Sequence, residues 1–286
     1  MGSSIHCIPC LVRQAVDLVR SVVPDETAQK RLLRFFLLEL GTTDLDQPAP
    51  VIAKRFQTLI QPFMPEEDVF LEMKERFTRL ALAVYPEARR QVRAAEDPLR
   101  AALALAAAGN VIDVGAYPSV DDSAIEAVLS ALKAPFFGDV KDFRDTVERA
   151  RKILYLADNT GEIVFDKLLL ELLPRDRILL AVRGAPVLND ATLDDAEASG
   201  LLDLVEVIEN GSNAPGTMLE DCSPEFRLAF DESDLIVAKG QGNYETLNTE
   251  DKEIFFLLKI KCEVVASQLR CPLGGLVLHH HLANQE

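Results

Sequence analysis

The spacing of apolar residues changes period once along this 286-residue chain, near residue 150, and that change limits the architectures open to it. Up to about Ala108 apolar residues recur at helical spacing, as in Val12, Ala15, Val16, Val19, Val22 and Val23, which predicts an all-helical segment. Local chemistry marks the helix ends: Pro24-Asp25-Glu26 starts one and Gly41 closes it, and another begins near Pro50. Pro65-Glu66-Glu67 opens an amphipathic segment reaching Tyr85-Pro86, and Asp97-Pro98 opens an alanine-rich helix that stops at Gly109-Asn110. Further helices are predicted over Asp121–Leu132 and Asp139–Ala150. Beyond Lys152 short runs of strand formers alternate with helical segments. The predicted strands are Ile153–Ala157, Ile178–Val182, Leu204–Val207 and Leu235–Ala238; the predicted helices run from Gly161 to about Leu173, over Asp190–Ala198 and over Pro224–Phe230. Strands separated by helices imply right-handed crossovers and a parallel sheet covered on both faces. The expected organisation is a helical domain over 1–108 and an α/β domain over 109–286.

Charge narrows the partners. Asp and Glu outnumber Lys and Arg, 46 to 30, for a formal net charge of −16. So acidic a surface repels nucleic-acid backbones and anionic lipid, so neither nucleic acid nor membrane is expected as a partner. No run approaches the ~18 apolar residues of a membrane span, and the first residues lack the basic and apolar regions of a secretory signal. The expected compartment is the cytoplasm, and the odd count of 5 cysteines fits a reducing one. An anionic ligand would need local positive charge to override this field.

In open α/β sheets ligands bind beyond the carboxyl ends of the strands, so the polar residues just past each strand are the candidates. Asp158-Asn159 offers hard oxygen donors suited to Mg²⁺ or Mn²⁺, with Asp190 a third; the alternative is that Asp158 or Asn159 caps the following helix. Lys239-Gly240-Gln241-Gly242-Asn243 can turn main-chain N–H groups and an ammonium toward phosphate, or be a glycine turn with a solvated lysine. It is neither a Walker A loop nor a dinucleotide fingerprint. Arg183 can add a bidentate guanidinium. The loop Asn210–Thr217 is a candidate lid or specificity loop. Cys7-Ile8-Pro9-Cys10 could hold a soft metal, do redox chemistry or pack as small hydrophobes. His279-His280-His281 could bind metal, end a strand or be unstructured.

Taken in order, Ala157-Asp158-Asn159-Thr160-Gly161-Glu162-Ile163-Val164-Phe165-Asp166, Arg183-Gly184 through Asn189-Asp190, Pro215-Gly216-Thr217 and Lys239-Gly240-Gln241-Gly242-Asn243-Tyr244-Glu245 resemble the damage-control phosphatase family. Cys7-x-x-Cys10 and Gly109-Asn110-Val111-Ile112-Asp113 are similar to its cysteine-bearing prokaryotic branch. The resemblance implies a three-layer α/β/α sandwich with a mainly parallel, Rossmann-like sheet after a helical N-terminal domain. It implies metal-dependent hydrolysis of small phosphate esters, sugar phosphates or damaged phosphometabolites, with Asp158, Asn159 and Asp190 as catalytic metal ligands for Mg²⁺, Mn²⁺, Co²⁺ or Ni²⁺. Lys239 would contact the phosphate, with Arg183, Asn110, Asp113, Glu162, Gly240 and Asn243 as further substrate-binding residues. Two other readings are an S-adenosylmethionine-dependent carboxyl methyltransferase and a non-catalytic binder of metal or metabolite. The first lacks the usual glycine-rich turn, since Asp158-Asn159-Thr160-Gly161 has a single glycine.

Overall fold

The computed structural model describes residues 2–64, 68–109, 126 and 128–283. Three helices come first: α1 (Cys7–Val22), α2 (Glu26–Thr42) and α3 (Ala49–Ile60). Asp25 caps α2, accepting a hydrogen bond from the Ala28 amide at 2.7 Å. Val19, Phe36, Ile52 and Phe56 close a small core of their own between these helices.

Helix α4 (Leu71–Ala94) runs on past the Tyr85-Pro86 end predicted for it. Pro86 forfeits one main-chain hydrogen bond, but the buried stripe of Val84, Ala88 and Val92 continues through it and holds the helix on the core. Helix α5 (Pro98–Ala108) is capped by Asp97, which accepts from the Leu99 and Arg100 amides at 3.1 Å. Its alanines are buried all round, so α5 lies inside the molecule. Both α4 and α5 share one buried cluster with the sheet. The helix expected over Asp121–Leu132 lies largely outside the described residues.

The remaining elements are β1 (Phe136–Phe137), α6 (Val140–Arg149), β2 (Ile153–Leu156), α7 (Glu162–Leu170), β3 (Ile178–Val182), α8 (Leu193–Ala198), β4 (Glu206–Glu209), α9 (Pro224–Glu232), β5 (Leu235–Lys239), α10 (Gly240–Leu247), β6 (Ile254–Lys259), α11 (Glu263–Leu269) and β7 (Leu276–His281). They form a 7-stranded sheet in the order β1-β7-β6-β5-β2-β3-β4. Every pairing is parallel except β6 with β7.

Alternation along the strands builds the three layers. Ile153, Tyr155, Val237 and Phe255 face α4, α5, α6 and α7, while Leu154, Leu156, Ile236 and Phe256 face α9, α10 and α11. The chain winds outward from β2 through β3 to β4, then returns to lay β5 on the other side of β2. The carboxyl ends of β2 and β5 therefore flank the topological switch point, where this class of sheet opens a crevice.

Two sequence expectations need correction in detail, and one of the alternatives offered for the histidines holds. β4 begins at Glu206 where Leu204 was expected, because Leu204 and Val205 finish the turn from Leu201, to which both donate main-chain hydrogen bonds. Gly240 through Leu247 is helix α10 and not a flexible glycine loop. The histidines 279–281 end strand β7: the His280 ring lies between Asp142 at 2.6 Å and Glu253 at 3.1 Å, stacked on Phe255.

Candidate active site

At the end of β2 the chain turns through Asp158 and Asn159, and an isolated antiparallel bridge joins Asn159 to Asp190 beyond β3. The Ala191 amide donates to the Asp158 carbonyl and the Thr160 amide to the Asn189 carbonyl, both at 2.8 Å. These bonds bring together two segments 30 residues apart. Neither Asp158 nor Asn159 caps α7, whose N-cap position is Gly161 with no side-chain bond, so the capping alternative does not account for the pair. From β5, Gly240 arrives with φ of +79°, and a Cβ there would stand 2.0 Å from Asp158 Oδ2. Only glycine gives Asp158 that room, which fixes where the carboxylate sits relative to the start of α10.

Asp158, Asn159 and Asp190 are all buried. Burial, with Glu162 and Asp190 nearby, pushes the Asp158 carboxyl up to about 7. Burial likewise raises Asp190, against the pull of Arg183, whose Nε donates to its Oδ2 at 2.7 Å. The Asn159 amide donates to Asp158 Oδ2 at 2.6 Å and to Glu162 Oε2 at 3.3 Å. Both amide protons are thereby used, leaving Asn159 Oδ1 as an acceptor. Among the described residues no group of three or more His, Cys, Asp or Glu is arranged to hold a metal. The donors at the switch point are instead two carboxylates and an amide oxygen. All are hard ligands, and desolvated carboxylates near Asp158 lack a full complement of positive charge. That chemistry fits a divalent cation such as Mg²⁺ or Mn²⁺.

The two cations singled out in the sequence are both engaged. Lys239 is fully buried, its ammonium 2.6 Å from Glu162 Oε1 and 2.7 Å from Asp166 Oδ1. Burial alone would lower its pKa, but those two carboxylates outweigh it and hold the ammonium above its ordinary value. Arg183 also donates to Thr217 Oγ1 at 3.3 Å and Asn243 Oδ1 at 3.4 Å. Asn243 in turn donates to the Lys239 and Ala157 carbonyls, tying α10 to β2 and β5.

One cation went unnoticed in the sequence. Lys261, just past β6, is exposed, and its charge draws both Asp158 and Asp190 down against the effect of burial. Its amide donates to Gln241 Oε1 at 3.3 Å, which seats this turn beside α10. The available signal was the Lys259-Ile260-Lys261 segment after the apolar run Ile254–Leu258, a run not read as a strand.

The loop after β4 is stitched down on both sides. The Gly184 amide donates to the Ser212 carbonyl and to Asn210 Oδ1, and Thr217 Oγ1 donates to Asn243 Oδ1 at 2.8 Å. From α3, the Lys54 ammonium donates to Asn213 Oδ1 and lies 3.2 Å from Asp221. Asn110 and Asp113 lie outside the described residues. Cys7 and Cys10 are free thiols at the start of α1. Burial pushes the Cys7 thiol up, although its sulfur accepts a bond from the Ser4 amide at 3.4 Å.

Comparison with known proteins points one way. The Damage-control phosphatase ARMT1-like domain matches residues 4–277. A damage-control phosphatase of Pyrococcus horikoshii is 34% identical over 284 residues, covering 97% of each chain. One from Archaeoglobus fulgidus is 31% identical, covering 97% of this chain and 98% of its own. A crystal structure of a DUF89 family protein from Pyrococcus horikoshii superposes with a TM-score of 0.89 at 32% identity, spanning 98% of this chain and 99% of that one.

Proposed function

The chain belongs to the damage-control phosphatase ARMT1-like family, and from that premise we propose that it is a metal-dependent phosphatase acting on small phosphate esters, sugar phosphates or damaged phosphometabolites. The observation that carries this reading is the buried set Asp158, Asn159 and Asp190, short of positive charge, with the exposed Lys261 acting on it from the next strand end.

Asp158, Asn159 Oδ1 and Asp190 would hold the cation, Mg²⁺, Mn²⁺, Co²⁺ or Ni²⁺, which when bound supplies charge neutralisation to the phosphoryl oxygens. The protein's own residues do the rest. Lys261 offers an ammonium to the peripheral phosphate oxygens, a contact Lys239 can make only by giving up the two carboxylates it already holds. Arg183 fixes the Asp190 carboxylate by its Nε bond to Oδ2, a bond in which Oδ1 takes no part. Gly240 keeps main chain close to Asp158, and Asn243 holds the first turn of α10 in place. Asn110 and Asp113 are kept as substrate contacts: Gly109 packs so tightly on Glu162 that a Cβ would lie 2.6 Å from its Cγ, so α5 ends at the site. A small phosphorylated metabolite in the cytoplasm matches both the local chemistry and the overall acidity.

The test is a phosphate-release screen of phosphometabolites with each of the four metals, run beside a chelator and Asp158→Ala. Metal-dependent release that the chelator and Asp158→Ala both reduce at least about a hundredfold is expected, the scale for removing a principal source of transition-state charge stabilisation. No release with any metal would overturn the reading.

A further inference from the structure

The geometry points to Lys239 as a positioning residue that aims the amide oxygen of Asn159 at the cation site, acting through Glu162 and braced by Asp166. This rests on the reading of Asp158, Asn159 and Asp190 as the cation-holding set.

The chain of contacts is continuous. Asp166, on the buried side of α7, takes the Lys239 ammonium at 2.7 Å, and the same ammonium takes Glu162 Oε1 at 2.6 Å. Asp166 Oδ1 is the oxygen that takes the ammonium, while its Oδ2 is buried without a hydrogen-bond partner among the described residues. Glu162, paired with an ammonium, is an acceptor at both oxygens, and its Oε2 faces the Asn159 amide at 3.3 Å. An asparagine amide can present either end to its surroundings, and only the oxygen end can ligate a hard cation. With Glu162 and Asp158 both accepting from Nδ2, the oxygen is the end left over. Displacing Glu162 would free the amide to rotate, and the NH₂ group would then compete for the ligand position.

Lys239 cannot at the same time serve a ligand from solvent. It is 0% exposed, and its two partners match the two carboxylates that α7 turns inward, so each of the three groups would be left a bare buried charge without the others. The lysine that ends β5 thus serves the site from beneath, while Lys261 past β6 serves it from solvent.

The experiment measures Mn²⁺ binding to the full chain by the loss of the free-Mn²⁺ paramagnetic resonance signal, with no phosphate compound present. Lys239→Met and Lys239→Met/Asp166→Asn are compared with the unaltered chain, and thermal melting checks that each is folded. Coulomb's law alone makes loss of a nearby positive charge tighten a cation; positioning predicts the opposite sign. Lys239→Met should weaken Mn²⁺ binding about tenfold or more, the scale for groups that orient metal ligands. The double variant removes one charge of each sign and keeps the result interpretable if Lys239→Met does not fold; it should weaken binding by the same scale, again about tenfold. At saturating Mn²⁺ the substrate KM of either variant should stay within about twofold, whereas Lys261→Ala should raise KM without weakening Mn²⁺ binding. Unchanged or tighter Mn²⁺ binding with a raised KM would overturn the inference and make Lys239 a substrate contact. If the unaltered chain binds no Mn²⁺, the cation assignment falls and the inference with it.

Discussion

Gly240 shows how little latitude the site has. Its left-handed backbone and its 2.0 Å clearance problem with Asp158 act together, so Gly240→Ala must both strain the chain and move the carboxylate. The expected cost is about 1–3 kcal/mol of stability, with a loss of Mn²⁺ affinity out of proportion to it. Denaturant melts and metal titration on the same preparation separate the two effects; a variant that is destabilised but binds Mn²⁺ normally would show that the clearance is unimportant. The identity of such residues was legible because each follows a strand, as Asp158, Arg183 and Lys239 do. Their roles were less so. The partners that consume Lys239 lie 77 and 73 residues earlier, on a helix face where the sequence shows only an amphipathic pattern. Nothing local to Lys239-Gly240 says whether its ammonium points out to a phosphate or down to Asp166.

The elements read best were those with a two-sided signal. β2, β3 and β5 are short apolar runs ended by polar clusters, and they sit where the sequence places them. β6 was not read as a strand, although Ile254–Leu258 is apolar, and β7 entered only as one alternative for its histidines. β7 carries three histidines, of which His280 is held by Asp142 of α6, by Glu253 just before β6 and by the Phe255 ring of β6. Such support is long-range and leaves no local trace. The loop Asn210–Thr217 belongs to this scale too, since its anchor on one side is Lys54 of α3, from the separate N-terminal core. Lys54→Ala should speed amide hydrogen exchange across residues 210–217 by about an order of magnitude while leaving β2 and β5 protected. Exchange in the loop that does not change would mean that Gly184 and Asn243 suffice to hold it.

For the whole molecule, the buried carboxyls at the switch point make the metal-free fold sensitive to pH. Burial holds Asp158 up at about 7 and Asp166 at about 6, and raises Asp190 as well. In the unfolded chain such carboxyls ionise near 4, so folding takes up protons and the protonated groups favour the folded state. Stability should therefore fall as pH rises from about 4 through the folded-state values near 6 and 7. In chelator the Tm is expected to be lower at pH 8 than at pH 5.5, Mn²⁺ should restore more at the higher pH, and Asp158→Asn should flatten the profile. A chelated protein whose Tm ignores pH over that window would count against the charge shortage at the site. No helix among the described residues is long and apolar enough to cross a membrane.

The buried lysine has one more consequence, for strand alignment. Lys239 and Val237 share a face of β5, and β5 is central, flanked by β2 and β6. Its neighbours on both sides are apolar and would accept several registers. A slip of one residue would turn the ammonium onto the opposite, wholly apolar face beside Phe256 and leave Glu162 and Asp166 facing an alanine. The contact that aims Asn159 thus also works as a registration mark: it lets β5 settle between β2 and β6 in only one alignment.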